Sequence, residues 1–213
     1  YSWTNDTQAT PIGTADTLAL DHSLASPGDT LSCTATATDS VGATTTGFAS
    51  VSVENTPPTL DFVEILPSSG VTTSSSLTCA VTATDIDGDT PSLTYNWVND
   101  TQNTSLGTGE TLLLSLSLAL PTDSVTCEVT ATDNQGAQVS DSDTITVDNT
   151  APIIELIELT PTTGVFTNTE LTCYAEAIDA DGEIPTLTYT WTNNTQNTSL
   201  GTGETLILSP TSS

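Results

Sequence analysis

The sequence contains no lysine, no arginine and a single histidine, against 27 aspartates and glutamates in 213 residues. Binding to a nucleic-acid backbone requires cationic side chains that displace condensed counterions, and an anionic membrane surface repels a chain of this charge. The composition therefore excludes nucleic acid as a partner. No apolar run is long enough for direct membrane insertion.

The complete lack of lysine and arginine indicates a selected property, because these two residues together normally supply roughly one residue in ten. Two explanations are open, and both can hold. The surface can resist trypsin-like proteases and stay soluble in salty water, or it can recruit divalent cations that lessen its self-repulsion.

Aromatic residues are also scarce, at 5%, and a highly charged chain with few aromatics is typical of disorder. The order of the apolar residues argues against disorder here. Between Leu112 and Leu120, and again from Val125 to Ala131, apolar residues occupy every second position. Such alternation predicts half-buried strands, and no segment has the pattern of an amphipathic helix. We therefore expect an all-β fold.

One period of 94 residues governs the chain. It separates Cys33 from Cys127 and Cys79 from Cys173, and it also relates the three tryptophans, Trp3, Trp97 and Trp191. The segments 95–112 and 189–206 differ at only three of 18 positions. Such near-identity indicates tandem repeats.

Proline-containing linkers at 55–58 and 149–152 mark the repeat boundaries, because proline cannot donate to a sheet ladder. The first repeat (1–55) is the C-terminal part of a unit, the middle repeat (56–149) is complete, and the third repeat (150–213) is an N-terminal part. Seven strands are predicted in the middle repeat, at 59–66, 76–84, 92–98, 103–107, 110–118, 123–132 and 138–147. That number and length predict an immunoglobulin-like β-sandwich.

Cys79, Trp97 and Cys127 follow the Cys, Trp, Cys order of immunoglobulin-type domains, with both cysteines on inward faces. We expect a disulfide between them, the alternative being free buried thiols. Closing the 48-residue loop would stabilise the fold by about 4 kcal/mol. No paired-cysteine spacing suggests zinc. By the same spacing, the partners of Cys33 and Cys173 are expected outside this sequence.

Acidic residues surround a glycine between the second and third predicted strands of two repeats. They are Asp85, Asp87 and Asp89 around Gly88, and Asp179, Asp181 and Glu183 around Gly182. Alternate carboxylates on a tight turn can converge on one calcium ion. Asp and Gly also favour turns by themselves, so a plain solvated acidic turn is the other interpretation.

Five asparagines lie in Asn-x-Ser/Thr sequons, in loops predicted to be exposed: Asn5, Asn99, Asn103, Asn193 and Asn197. Each is a candidate for N-glycosylation in a host with the machinery.

The motif Asp85-Ile-Asp-Gly-Asp89 followed by Leu93-Thr-Tyr-Asn-Trp97 resembles the core of PKD-type domains, and residues 179–191 repeat it. PKD-type domains are immunoglobulin-like modules of bacterial and archaeal surface proteins. The linker at 148–152 is similar to the one that usually joins such modules. The resemblance implies an extracellular spacer or adhesive module without catalysis.

The residues also match no catalytic template, because no serine or cysteine has a basic partner. His22 corresponds to Leu116 one period later and is expected on the inward face of the fifth strand. We expect no enzyme, and no cofactor unless calcium is bound.

The leading hypothesis is an extracellular fibre, filament or surface stalk whose partners are copies of itself. The alternative is an adhesin that recognises glycans or a surface protein through its loops, although few aromatics are available for a binding hot spot.

Trypsin is expected to leave the chain intact even after unfolding and reduction, because there is no lysine or arginine to cleave after. Mass spectrometry of the digest checks this. A glutamate-directed protease, applied to the same sample, is the control and should produce fragments. A fragment produced specifically by trypsin would contradict the prediction.

Overall fold

The computed structural model describes residues 1–209. These residues form 16 β-strands and no helix. None of them belongs to a helix that is long and apolar enough to cross a membrane. The first repeat contains β1 (Ser2–Asn5), β2 (Thr10–Gly13), β3 (Thr30–Thr38) and β4 (Thr44–Ser52).

The middle repeat contains β5 (Thr59–Leu66), β6 (Ser76–Thr84), β7 (Ser92–Asn99), β8 (Thr104–Gly107), β9 (Thr111–Leu113), β10 (Ser124–Thr132) and β11 (Gln138–Thr146). The third repeat contains β12 (Ile153–Thr160), β13 (Glu170–Ile178), β14 (Thr190–Asn193), β15 (Thr198–Thr202) and β16 (Thr205–Ile207). The sequence period is reproduced in the strands, since β3 and β10, and likewise β5 and β12, begin 94 residues apart. The final four residues of the predicted third repeat lie outside the described residues.

The strands of the middle repeat form two antiparallel sheets. One has the order β5-β6-β9 and the other the order β11-β10-β7-β8. Cys79 in β6 and Cys127 in β10 form a disulfide, so the bond joins the two sheets, and their Cα atoms are 6.4 Å apart. The all-β prediction is confirmed, and the pair of sheets is consistent with a β-sandwich.

Trp97 lies on β7 directly opposite Cys127 of β10 in the sheet register. Its side chain is fully buried, and its indole Nε1 donates a hydrogen bond to the carbonyl of Gly109 at 2.9 Å. A buried indole needs such an acceptor. The disulfide and the indole therefore occupy the same part of the core.

The chain divides into two compact units. The first comprises Tyr1–Ser69, Ser76–Leu112 and Val125–Ile145, and the second comprises Gly70–Ser75, Leu113–Ser124 and the described residues from Thr146 to Ser209. Besides the disulfide and Trp97, the first unit buries mainly aliphatic side chains, among them Leu31, Ile65, Leu77, Val125 and Val129. The second unit buries Val71, Leu114, Ala119, Val147 and Ala175.

Equivalent apolar positions differ in burial between the middle and third repeats. Ile65 is fully buried, whereas its counterpart Leu159 is 46% exposed; Val71 is 1% exposed and its counterpart Val165 is 44% exposed. Among the described residues, the third repeat has counterparts of β5, β6 and β9 but none of β10 and β11. These positions are thus more exposed in the repeat whose described residues include no counterpart of β10 and β11.

The predicted fifth strand, 110–118, is wrong in length, because β9 ends at Leu113. Beyond it the chain turns, with the backbone N–H groups of Leu118 and Ala119 both donating to the carbonyl of Ser115. Leu114 and Ala119 are buried while Leu116 is 44% exposed. The alternating leucines therefore supply a turn with its own apolar contacts, which period-two patterning cannot distinguish from a strand.

His22 lies in the equivalent turn of the first repeat, where Leu24 N donates to the carbonyl of Asp21. Its side chain is exposed and does not face the core. The expectation that His22 points inward on a fifth strand is therefore wrong for the same reason.

Reduction of the disulfide is expected to lower the free energy of unfolding of the middle repeat by about 4 kcal/mol, since the unfolded chain gains loop entropy. The measurement is denaturant unfolding with and without reductant. A variant carrying Cys33→Ala and Cys173→Ala removes the two free thiols and keeps the bond, so it should show the same loss. An unchanged midpoint in reductant would contradict the prediction.

Candidate functional site: the joint between successive repeats

One side chain of each repeat packs against the glycine turn of the next. A Cβ added to Gly88 of the middle repeat would lie 2.9 Å from Nδ1 and 3.0 Å from Cγ of His22 of the first repeat. A Cβ added to Gly182 of the third repeat would lie 3.2 Å from Cδ1 of Leu116 of the middle repeat. His22 and Leu116 are 94 positions apart in the sequence, and so are Gly88 and Gly182. We call this contact the joint, and it occurs twice.

A hydrogen bond from a backbone N–H to an aspartate side chain fixes the linker at each joint. Thr56 N donates to Asp87 Oδ2 at 2.7 Å, and Thr150 N donates to Asp181 Oδ2 at 2.5 Å. In the second case Thr73 Oγ1 of the middle repeat also donates to Asp181 Oδ1, at 2.8 Å. The central aspartate of the acidic turn thus anchors the residue that precedes the boundary proline or alanine.

Asp181 is almost completely buried. The hydrogen bond from Thr150 N, assisted by the one from the Thr73 hydroxyl, holds the pKa of the Asp181 carboxyl below its usual value. A carboxylate that accepts such donors is favoured in its charged form. The second joint is therefore held by a buried anion whose partners are all neutral.

The first aspartate of each motif shapes the turn itself. Asp85 Oδ1 accepts from Asp87 N, and Asp179 Oδ1 accepts from Asp181 N, both at 2.8 Å. The glycines that follow have positive φ, +86° at Gly88 and +80° at Gly182, which residues with a Cβ adopt only with strain. The first aspartate and the glycine of the motif thus shape a tight turn.

The six acidic residues predicted to bind calcium are placed on these turns, and most already accept hydrogen bonds. Asp89 Oδ1 accepts from Asn134 Nδ2 at 2.8 Å, while Glu183 is exposed. In residues 1–209, no group of three or more Asp, Glu, His or Cys side chains is arranged to hold a metal ion. Calcium binding by the complete set Asp85, Asp87, Asp89, Asp179, Asp181 and Glu183 stays a prediction.

The five sequon asparagines differ in burial. The side chains of Asn5 and Asn99 are fully buried, so the expectation of an exposed loop is wrong for these two, and a glycan on either amide is incompatible with the packing. Asn193 is half-buried and accepts from Thr195 N and Gln196 N. Only Asn103 and Asn197 are exposed.

Asn5 has a structural role as a hydrogen-bond donor, which the sequon does not indicate. Its Nδ2 donates to Asp29 Oδ2 at 2.6 Å and to the carbonyl of Leu24 at 3.2 Å. The same Asp29 oxygen accepts from Ser26 N and from Gln8 Nε2. The sequence offered one clue to this role, because an asparagine recurs at positions 5, 99 and 193, one period apart.

The pKa of Asp29 is held below its usual value, first by the Ser26 N–H and then by the Asn5 amide. Asp133 is a second buried aspartate of this kind. Its Oδ2 accepts from Asn55 Nδ2 at 2.8 Å, which lowers its pKa, and its Oδ1 accepts from Gln135 N and Ala137 N. Neither aspartate was predicted as a site residue.

A cleft of about 260 Å³ lies beside the His22 contact of the first joint. Apolar and acidic residues share its lining, among them Leu20, Ala25, Val53, Ile86 and Asp87. This volume is below the range of about 300–1,000 Å³ that is usual for small-molecule pockets. The cleft therefore gives no support to a ligand-recognition site at the joint.

No known protein-family model matches the sequence, and no curated protein is significantly similar to it.

Asp29→Asn is expected to lower the melting temperature at pH 7, because hydrogen bonds to a charged acceptor are stronger than those to a neutral one. The folded-state pKa of Asp29 lies below the unfolded value of about 3.9. Its contribution is therefore present above that value and is lost as the pH falls through the folded pKa.

The difference in melting temperature between the wild type and Asp29→Asn should accordingly close below about pH 4. Melting curves from pH 7 to pH 2.5 check this. Asp16→Asn removes an exposed carboxylate from the same repeat and corrects for the loss of one charge. A gap that persists at the lowest pH would show that the carboxylate charge is not its cause.

Proposed function

We propose that this chain is a structural segment of an extracellular fibre, filament or surface stalk built from tandem immunoglobulin-like, PKD-like repeats. The observation that carries the proposal is the recurrence of the joint. His22 on Gly88 and Leu116 on Gly182 are equivalent contacts, and each is accompanied by an equivalent hydrogen bond between linker and turn. Repeats connected by one reproducible contact can be added end to end without a new interface.

Three features of the middle repeat support the immunoglobulin-like assignment. Its sheets have the orders β5-β6-β9 and β11-β10-β7-β8, a disulfide joins the second and sixth strands, and a tryptophan on the third strand packs beside it. Immunoglobulin-type sandwiches combine these features. The acidic Asp-x-Asp-Gly turn before that strand adds the PKD-like element.

A structural disulfide is typical of an oxidising compartment, which agrees with an extracellular location. A surface without lysine or arginine gives trypsin-like proteases no cleavage site there. The exposed Asn103 and Asn197 are the sequons available for glycans. Each property suits a protein that persists outside the cell, whereas a role as an adhesin would need a recognition surface in addition.

The proposal is tested with chains that contain one, three, five and seven copies of the 94-residue repeat. We expect the maximum dimension from small-angle scattering to rise by a constant increment per repeat, and electron micrographs of the native material to show continuous fibres. A maximum dimension that stops rising, together with isolated native particles, would contradict a fibre.

Gly88→Ala is expected to weaken the joint, because the added methyl group meets the His22 ring in addition to adopting a positive φ. Gly136→Ala is the matched control, since Gly136 has a φ of +90° and nothing within 4 Å of the added Cβ. Both variants should lose about 1–2 kcal/mol through the backbone. Only Gly88→Ala should lose additional free energy of unfolding. It should also widen the distribution of bend angles between repeats in micrographs.

Combining Gly88→Ala with His22→Ala should recover the additional loss, because the ring that opposes the methyl group is gone. The measurement is a double-mutant cycle by denaturant unfolding. Equal losses in Gly88→Ala and Gly136→Ala would show that the joint contributes nothing.

A further inference from the structure

We propose that the middle repeat binds one divalent cation, with calcium as the expected ion, through three side-chain oxygens: Asn55 Oδ1, Asp85 Oδ2 and Asp89 Oδ2. The inference goes beyond the proposed fibre and does not depend on it. It also differs from the acidic-turn hypothesis, because it recruits an amide from the linker and leaves Asp87 to its hydrogen bond with Thr56.

The first observation is that these three oxygens are buried and have no hydrogen-bond donor. They are the buried side-chain polar atoms without a partner that the described part of the chain contains. Buried polar groups in folded proteins nearly always have a partner, and a buried carboxylate oxygen without one is costly. All three atoms are oxygens, and they belong to segments that are linked by hydrogen bonds. This combination points to a positively charged ligand.

The second observation is a closed set of tethers that brings the three segments together. Asn55 Nδ2 donates to Asp133 Oδ2, and the next residue of that loop, Asn134, donates through Nδ2 to Asp89 Oδ1, both at 2.8 Å.

The third tether returns to the linker, since Thr56 N donates to Asp87 Oδ2 at 2.7 Å. Asp85 Oδ1 is held by Asp87 N at 2.8 Å. Linker, acidic turn and the β10–β11 loop are thus tied to one another. In each of the three proposed ligand side chains, one polar atom makes a tether and the other is the buried oxygen without a donor.

The composition then restricts what can compensate the charge. A buried carboxylate is commonly paired with lysine or arginine, but the chain has neither. Its single histidine, His22, packs on Gly88 of the same turn but donates no hydrogen bond to Asp85 Oδ2 or Asp89 Oδ2. A cation from solution is therefore the remaining source of compensating charge.

The donor set selects the class of ion. One amide and two carboxylate oxygens are hard ligands, which suit calcium or magnesium and not softer metals. Calcium accepts irregular sets of six to eight oxygens, whereas magnesium demands near-ideal octahedral geometry. Two carboxylates match a divalent charge. Because the third ligand is an amide, the site is compatible with the lack of any cluster of three acidic, His or Cys ligands among residues 1–209.

The inference is restricted to the middle repeat. In the third repeat the counterpart of Asn55 is Asn149, whose Nδ2 donates to the carbonyl of Thr150. The amide in the third repeat is thus engaged by a backbone carbonyl, whereas the amide of Asn55 is engaged by the Asp133 carboxylate.

The test is calcium titration by calorimetry of the whole chain in about 0.15 M sodium chloride, which screens the diffuse attraction of cations to the surface. Melting curves in calcium, magnesium and chelator accompany it. We expect one saturable calcium site and a higher melting temperature in calcium than in chelator. Asn55→Ala and Asp89→Asn should each weaken calcium binding by about tenfold or more.

Asp141→Asn is the matched control, because Asp141 is an exposed aspartate of the same repeat. The calcium affinity of this variant should equal that of the wild type. Asn55→Asp keeps an oxygen ligand but places a second carboxylate beside Asp133. It should therefore melt lower than the wild type in chelator and recover in calcium, which a purely structural role of Asn55 would not produce.

Three results would overturn the proposal. Lack of saturable calcium binding at millimolar concentration would exclude the site. Equal weakening by Asp141→Asn and Asp89→Asn would show a diffuse counterion atmosphere. Unchanged affinity in Asn55→Ala, with Asp89→Asn impaired, would show that the acidic turn alone binds the ion and that the linker amide is not a ligand.

Discussion

A chain without lysine or arginine cannot pair a buried aspartate with either side chain, and its most deeply buried aspartates accept hydrogen bonds from neutral donors instead. Asp29 accepts from an asparagine, a glutamine and a backbone N–H group, and Asp181 accepts from a threonine hydroxyl and a backbone N–H group. These bonds lower the pKa of both carboxyls. Neutral donors on side chains and on the backbone must be placed accurately, and this requirement constrains the conformation of the loops.

The same constraint explains why the loops and the linker are structurally specific although nearly all charged side chains are acidic. Asp87 and Asp181 hold the linker threonines, and the glycine beside each of them gives the turn its positive φ and admits the side chain of the preceding repeat. A turn that looks like a solvated acidic loop in the sequence thus acts as the contact between repeats. Repulsion between acidic surfaces is opposed at the joint by short hydrogen bonds and close packing.

The core of the middle repeat relies on few large side chains. Trp97 and the Cys79–Cys127 disulfide lie between two sheets whose remaining buried residues are mainly valine, leucine, isoleucine and alanine. Small sandwiches with modest apolar cores gain much of their stability from a covalent link between sheets. The indole and the disulfide are therefore the elements around which the strands of a complete repeat are arranged.

The sequence alone determined the period, the all-β class, most strand limits and the pairing of Cys79 with Cys127, because alternation and cysteine spacing are properties of the chain that need no coordinates. It could not show that the leucine-rich segment after Leu113 forms a turn, since apolar residues alternate in the same way in a strand. Nor could it show that Asn5 and Asn99 are buried. Only the tertiary structure brought Asn55, Asp89 and Asp133 together, because these residues are up to 78 positions apart and their proximity depends on how three loops meet.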